Sequence, residues 1–279
     1  MEKEAEFVNL LEYEHTGEGA NGESYHHKTD PNVMLKLYNA NAPFAIITKE
    51  LECAQKVFDL GLPTPKPGML VTDGKRYGIR FHRILNKQSF SRAIGDHPEQ
   101  VEHYAREFAK MCHQLHSTRC DTSLFENVKD RYKKDLSENP FFTADEKQKI
   151  SKFIDSTPDT DTAIHGDLQF SNVITDGTRN FFIDLGDFAY GNPLFDLGMV
   201  LLTSRYDSDE FVEEVFHMTN ETAGKFWKFF VSEYFGPDVD PEQKSLELRP
   251  YAGLKTIIIE RNAGCPFPQF RALLDGVLD

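Results

Sequence analysis

No part of the chain restricts its folding and chemistry as strongly as Ala163-Ile-His165-Gly-Asp167-Leu-Gln-Phe-Ser-Asn172 with the Val-Ile-Thr-Asp-Gly-Thr-Arg-Asn-Phe-Phe-Ile-Asp184-Leu-Gly-Asp187 that follows it. Gly166 interrupts helix and strand alike, which leaves Asp167 on a loop. Val173-Ile174-Thr175 and Phe181-Phe182-Ile183 are strand-like runs on either side of five polar residues. If all five form the loop, Thr175 faces Phe181 and Ile174 faces Phe182. Asn172 then stands opposite Asp184 with Cβ atoms about 5 Å apart. An amide oxygen and a carboxylate at that separation suit Mg2+, which takes a few protein oxygens together with substrate phosphates. A two-residue Asp176-Gly177 turn would shift the register and break this arrangement. The longer loop uses the whole apolar run 181–183 and is the reading adopted. Asp167 can orient an acceptor hydroxyl and take its proton late in a loose phosphoryl-transfer transition state. His165 reads as a structural residue fixing the loop, because the neighbouring carboxylate and amide already fill the roles that such a transfer needs.

The chain before this stretch reads as strand-rich. Gly17, Gly19 and Gly22 form a G-x-G-x-x-G, in which glycines allow positive φ and let backbone N–H groups approach phosphate oxygens. It is not followed by a Rossmann helix but by a second turn and the strand Val33-Met34-Leu35-Lys36-Leu37-Tyr38. Alternation puts Val33, Leu35 and Leu37 on one face and Met34, Lys36 and Tyr38 on the other. Lys36, 14 residues after Gly22, is placed to reach phosphates held under the glycine loop. A helix is expected over about 43–60, opened by Pro43 and stopped by Gly61. Glu50 shares its packed face with Ala54 and Val57, whereas Glu52 lies with Gln55 and Lys56, so Glu50 is the better partner for Lys36. Asp73-Gly74 marks a hairpin between 68–72 and 75–81. The connector Phe81-His82-Arg83-Ile84-Leu85-Asn86-Lys87 leaves the last strand, and backbone groups there, at Phe81 and Arg83, are candidates for an adenine edge. Composition turns helical beyond it, placing a boundary near residue 85: a nucleotide-binding lobe over 1–85 and a catalytic, acceptor-binding lobe over 86–279.

Helices are expected over about 98–117, 122–137 and 143–156, then again from Asn192-Pro193, with Asn as cap and Pro in the first turn. His113 and His116 read as residues suited to a helix C-terminus. Asp196 falls inside a helix that is apolar nearly all round, a costly place for a carboxylate unless it is hydrogen-bonded. The tail 207–279 reads as amphipathic helix, whose charges at Asp207, Asp209, Glu210, Glu260 and Arg261 read mostly as solvated. They become candidates for acceptor contacts only through the resemblance set out below, which implies an acceptor held by C-terminal helices. With 31 Lys plus Arg against 45 Asp plus Glu, the net charge of −14 argues against nucleic acid or an anionic membrane as partner. It would suit a cationic small molecule, but an acidic balance is common in soluble enzymes and that plain reading is preferred. Cys53, Cys112, Cys120 and Cys265 show no zinc or disulfide spacing and read as reduced. No signal segment or membrane span is visible, so a cytoplasmic location is expected.

His165-Gly-Asp167-Leu-Gln-Phe-Ser-Asn172 resembles the H-x-D-x-x-x-x-N signature shared by aminoglycoside phosphotransferases and protein kinases. Ile183-Asp184-Leu-Gly-Asp187 resembles their metal-binding segment. The form H-G-D, with Gly-Asn-Pro193-Leu-Phe195-Asp196-Leu, looks like the aminoglycoside phosphotransferase and choline kinase group, and the likeness runs from the glycine loop to about residue 205. It implies an α+β, two-lobed protein-kinase-like fold: a small antiparallel sheet with one helix, then a larger, mainly helical lobe. It further implies ATP or GTP with Mg2+, Lys36 on the α/β-phosphates paired with Glu50, Asp167 as catalytic base, Asn172 and Asp184 as metal ligands, and Asp196 as the buried brace of the loop. Gln169 stands where many members have His, and Ser24 where protein kinases have Val. The implied reaction is transfer of a γ-phosphate to a hydroxyl of a small molecule such as an aminoglycoside, amino alcohol or sugar. A nucleotide-binding regulator is the alternative. A protein kinase is disfavoured, since no A-P-E segment or activation loop separates Asp184 from Pro193. Nothing in the sequence specifies the acceptor or an oligomeric state.

Overall fold

A computed structural model describes residues 5–19 and 21–279. In chain order, the first elements are β1 (Glu6–Phe7), β2 (Tyr13–Gly19), β3 (Gly22–His27), β4 (Val33–Tyr38), α1 (Phe44–Asp59), β5 (Pro67–Thr72), β6 (Tyr77–His82) and β7 (Gln88–Ser89). Next come α2 (Phe90–Asp96), α3 (Val101–Ser117), α4 (Val128–Glu138), α5 (Ala144–Ser156), β8 (Ala163–Ile164), β9 (Val173–Thr175), β10 (Asn180–Phe182) and β11 (Ala189–Tyr190). The rest is helical: α6 (Leu194–Arg205), α7 (Asp209–Phe216), α8 (Asn220–Tyr234), α9 (Pro241–Ala263), α10 (Pro268–Arg271) and α11 (Asp275–Leu278). Two compact units result, Met1–Gln88 with Ile174–Gly186, and Ser89–Val173 with Asp187–Asp279. No helix among the described residues is long and apolar enough to cross a membrane.

The first unit is built on a sheet of strand order β1-β5-β6-β4-β3-β2. It is antiparallel except at one edge, where β1 runs parallel to β5 with Glu6 against Val71. A two-residue strand is too short to show alternation, so the sequence gives no hint of it. The alternation in β4 does what it implies. Leu35 and Leu37 are buried with Val8, Tyr13 and Val71, while Tyr38 is buried with Ile47, Leu51, Leu70 and Ile79. α1 supplies Ile47, Leu51, Ala54 and Val57 as one buried stripe at helical spacing. Each such large side chain contributes roughly 1.5–3 kcal/mol by leaving water. That packing fixes how α1 lies on the sheet, and with it where Glu50 stands.

The hairpin of β9 and β10 differs from its expected form. The Asp176 N–H donates to the Arg179 carbonyl at 3.0 Å, and Asp176 Oδ1 accepts the N–H groups of Thr178 at 2.9 Å and Arg179 at 2.8 Å. Gly177 takes φ 91°. The same device closes Asp73 to Arg76, where Thr72 faces Tyr77. Counting back from the closing pair sets Thr175 against Asn180 and Ile174 against Phe181, one residue away from the register that a five-residue loop implies. Asn172 and Asp184 are therefore not a register pair of this hairpin. The aspartate caps its own turn, and that local bonding outweighs the longer apolar pairing assumed from sequence.

In the second unit, α3 buries Val101, Ala105, Phe108, Met111, Cys112 and Leu115, much as its periodicity implies. Phe108 meets Phe226 and Phe230 of α8 edge-on at 5.5 and 5.8 Å. α6 is buried nearly all round, as its composition requires, and Gly198 lets it approach the backbone of Tyr251 in α9. The helix expected from 122 starts only at Val128, because the Asn127 side chain accepts from the Lys129 N–H and caps it there.

Candidate active site

In the second unit, β8 pairs with β11 and then delivers the chain into the His-Gly-Asp turn. Gly166 takes φ 86°, and a Cβ there would collide with the backbone oxygen of Asp187. The turn therefore requires glycine. Asp196, in the first turn of α6, is fully buried. Its carboxylate accepts the N–H of His165 at 2.7 Å and of Gly166 at 2.9 Å, and lies 3.2 Å from His116 Nε2. Burial raises the pKa of this carboxyl, but His116, His165 and the backbone N–H bond outweigh burial and hold it below its ordinary value. His116 in turn meets the Tyr234 hydroxyl at 2.8 Å through Nδ1, and His113 stacks on the Tyr234 ring at 4.4 Å. His116 is thus part of the brace and not merely a helix-terminal residue. Its signal in the sequence was weak, because its partner Asp196 lies 80 positions away.

Asp167 follows directly. Its N–H points to His165 Nδ1 at 3.3 Å, and its Oδ2 accepts Asn172 Nδ2 at 2.9 Å and Gln169 Nε2 at 3.1 Å. Gln169 therefore holds the carboxylate from two residues away. Asn172 also donates to the Asp167 carbonyl at 2.9 Å. Only the amide nitrogen can donate, so these bonds orient the side chain and turn its Oδ1 away from Asp167, where a hard cation can use it. Substituting Gly166→Ala is expected to destabilise the chain by about 1–3 kcal/mol through the strained φ alone, and by more through the collision with Asp187. Thermal melting measures this, and an unchanged melting temperature would mean that the turn tolerates a side chain.

The first unit gathers Lys36, Glu50 and Asp184. Lys36 Nζ lies 2.9 Å from Glu50 Oε1 and 2.6 Å from Asp184 Oδ1. Burial lowers the pKa of the amine, but Asp184 and Glu50 outweigh burial and hold it above the usual lysine value. Asp184 is the nearer partner and holds the amine more strongly, while Glu50 is well covered and Asp184 half exposed, so solvent screens the second pair more than the first. Asp184 takes φ 57°, a left-handed conformation that Asp tolerates better than most residues. Cys53 donates its thiol to the Leu185 carbonyl at 3.3 Å and ties the residue after Asp184 to α1.

The glycine loop is the tip of the β2–β3 hairpin, with Gly17 opposite Ser24 and Gly19 opposite Gly22. Ala20 between them lies outside the described residues. Gly22 has a packing reason of its own, because a Cβ would collide with the Leu37 carbonyl of β4. Phe81 is inside β6, paired with Met34 on one side and Pro67 on the other. The Arg83 N–H donates to the Asn32 carbonyl at 2.8 Å, so that donor is already used within the unit.

Most of the tail candidates have structural partners. Glu260 is fully buried and is held by Arg271 at 2.6 and 2.7 Å and by the Phe267 N–H at 2.8 Å. Arg261 pairs with Asp135, and Asp209 accepts from Asn220. Glu210 is exposed. Asp207 differs, its carboxyl being pushed up to about 7 by burial with no cation opposing the shift. The sequence reading missed Lys255 of α9, which is buried and donates to the Gly166 carbonyl. Its one signal is an isolated charge in Leu254-Lys255-Thr256-Ile257-Ile258-Ile259.

A sheet whose lysine pairs with a glutamate on its one helix, and a helical unit whose His-Gly-Asp turn is braced by a buried aspartate, define a kinase-like fold. The phosphotransferase enzyme family matches residues 13–227, and the chain belongs to that family. Among solved structures it resembles the aminoglycoside phosphotransferase APH(2'')-Ib with ADP bound, at 16% identity and TM-score 0.59 over 96% of this chain and 92% of that one. A thermostable mutant of aminoglycoside phosphotransferase APH(4)-Ia in ternary complex with ADP and hygromycin B gives 13% identity and TM-score 0.61 over 95% and 92%. A choline/ethanolamine kinase family protein from Mesorhizobium loti gives 16% and 0.53 over 95% and 85%. No curated protein matches the chain.

Proposed function

We propose that the chain transfers the γ-phosphate of ATP or GTP to a hydroxyl of a small molecule such as an aminoglycoside, an amino alcohol or a sugar. In this reading residues 1–85 bind the nucleotide and 86–279 carry catalysis and the acceptor. Backbone N–H groups around Gly17, Gly19 and Gly22 cover the phosphates, with Phe81 and Arg83 beside the base. Lys36, oriented by Glu50, neutralises phosphate charge. Asp167 holds the acceptor hydroxyl in line and takes its proton as the bond to phosphorus forms. Asn172 Oδ1 and the Asp184 carboxylate are hard oxygen donors of the kind Mg2+ prefers. Bound there, Mg2+ would offset charge on the β- and γ-phosphates.

The observation that carries the reading is the fixed Asp167. Its backbone follows a turn clamped by buried Asp196, and its carboxylate is held by Asn172 and Gln169. Phosphoryl transfer depends mainly on positioning and electrostatics, which a rigid carboxylate supplies without unusual basicity. The few residues between Asp184 and α6 leave no peptide platform, which supports a small acceptor.

The test is turnover of ATP and of GTP with Mg2+ against aminoglycosides, amino alcohols and sugars. Phosphorylated product with matching nucleoside diphosphate is expected for at least one class. Nucleotide binding with no product from any acceptor would instead support a nucleotide-sensing role. Lys36→Met removes charge-assisted bonds of about 1.5–3 kcal/mol, so nucleotide affinity is expected to fall roughly tenfold to hundredfold. Calorimetric titration measures it, and an unchanged affinity would remove Lys36 from the phosphates.

A further inference from the structure

The His-Gly-Asp turn has a cation beside it that none of these roles uses. Lys255, in the middle of α9, is 6% exposed and donates through Nζ to the carbonyl of Gly166. The same ammonium lies 5.8 Å over the ring of Tyr132. A lysine this buried is rare unless it is paired, because desolvation opposes its charge. Burial does pull its pKa down, yet the Tyr132 phenol and the carboxylates of Asp167, Asp196 and Asp187 outweigh burial and keep the amine charged.

The consequence is geometric. Asp196 holds the N–H of Gly166 and Lys255 holds its C=O, so both polar groups of one residue at φ 86° are gripped by opposite charges from two helices. The next residue is Asp167. α9 is itself firmly anchored, since Asn139 donates to its Ile257 carbonyl at 2.9 Å and its Ser245 accepts the Trp227 indole N–H at 2.9 Å. Gly198 lets α6, which carries Asp196, pack closely on α9 at Tyr251.

We propose that Lys255 is a positioning residue for phosphoryl transfer, fixing the Gly166 peptide and so the place from which Asp167 presents its carboxylate. The proposal rests on the reading of Asp167 as the group that orients the acceptor. Within it, α9 becomes part of the catalytic turn and not only a support for the acceptor side.

The first test needs no substrate. Amide hydrogen exchange over 163–173 is compared in the full chain for wild type, Lys255→Met and Lys255→Arg. The Met variant is expected to exchange at least about tenfold faster in that segment, with α3 and the β4 strand unchanged, and Arg is expected to restore most of the protection. Unchanged exchange in the turn would overturn the proposal, as would loosening spread through the whole unit. The second test uses Mg-ATP with water as acceptor. For Lys255→Met, kcat is expected to fall about tenfold to hundredfold, with KM for ATP within about threefold. An undiminished kcat, or a loss confined to KM, would also overturn it. A wild-type chain that never transfers phosphate, to water or to any acceptor, would refute the kinase reading itself, and the exchange comparison would then decide the positional claim alone.

Discussion

Asp167→Asn is expected to lower kcat by about 10²- to 10⁴-fold while nucleotide affinity stays near the wild-type value. The substitution keeps the size of the side chain and one acceptor oxygen, so the bonds from Asn172 and Gln169 need not all be lost. What disappears is the negative charge that, in the proposed reaction, would align the acceptor hydroxyl and receive its proton. Affinity is expected to hold because Lys36, the residue proposed for the phosphates, is held by Glu50 independently of Asp167. Steady-state turnover and equilibrium nucleotide binding, measured on one preparation, separate the two effects. Full turnover in the Asn variant would remove Asp167 from the chemistry.

Asp196→Ala is expected to cost about 3–5 kcal/mol, the usual penalty for removing one partner of a buried charged group. The N–H groups of His165 and Gly166 lose their acceptor inside the protein, and His116 loses the carboxylate it faces. Against a typical total stability of about 5–15 kcal/mol, such a loss shows plainly in a denaturant midpoint. The same carboxylate makes a pH prediction. Its native pKa is depressed, since contacts with His116 and His165 outweigh burial, so the unfolded chain takes up the proton first as pH falls. Its contribution is therefore complete above the unfolded value of about 4 and declines as pH drops through the native value. Wild-type stability should fall in that acid range, and the Ala variant should lack this component. Parallel acid profiles for the two would contradict the assignment.

Local patterns in the sequence were informative where one element carries the whole signal. The alternation Val33 to Tyr38, the stripe of α1 and the punctuation by Pro43 and Gly61 place a lysine and a glutamate on adjoining elements, and the pair forms at 2.9 Å. The buried setting of Asp196 was also legible, because an aspartate in an apolar helix implies hydrogen-bond partners before they are known. The hairpin register was not. Two turn geometries compete within Asp176-Gly177-Thr178-Arg179-Asn180, and the choice rests on three bonds to Asp176 that composition does not rank. The connector expected to leave the last strand at Phe81 starts later, because strand pairing runs on through His82 and the Arg83 N–H is closed onto Asn32.

The sequence by itself determined the residue types and their order: a glycine hairpin, a strand lysine, a helix glutamate, a His-Gly-Asp turn, an asparagine and two later aspartates. These follow from short-range rules of turn, cap and period, which act within a few residues. Only the tertiary structure decided what holds the turn in place. His116, Asp196, Tyr234 and Lys255 come from four helices spread from residue 101 to 263, and their contacts are set by how those helices pack. Long-range packing leaves no periodic trace at a single polar position. Asp167 could therefore be found from its neighbours in the chain, whereas the buried charges on both sides of Gly166 became visible only in the folded protein.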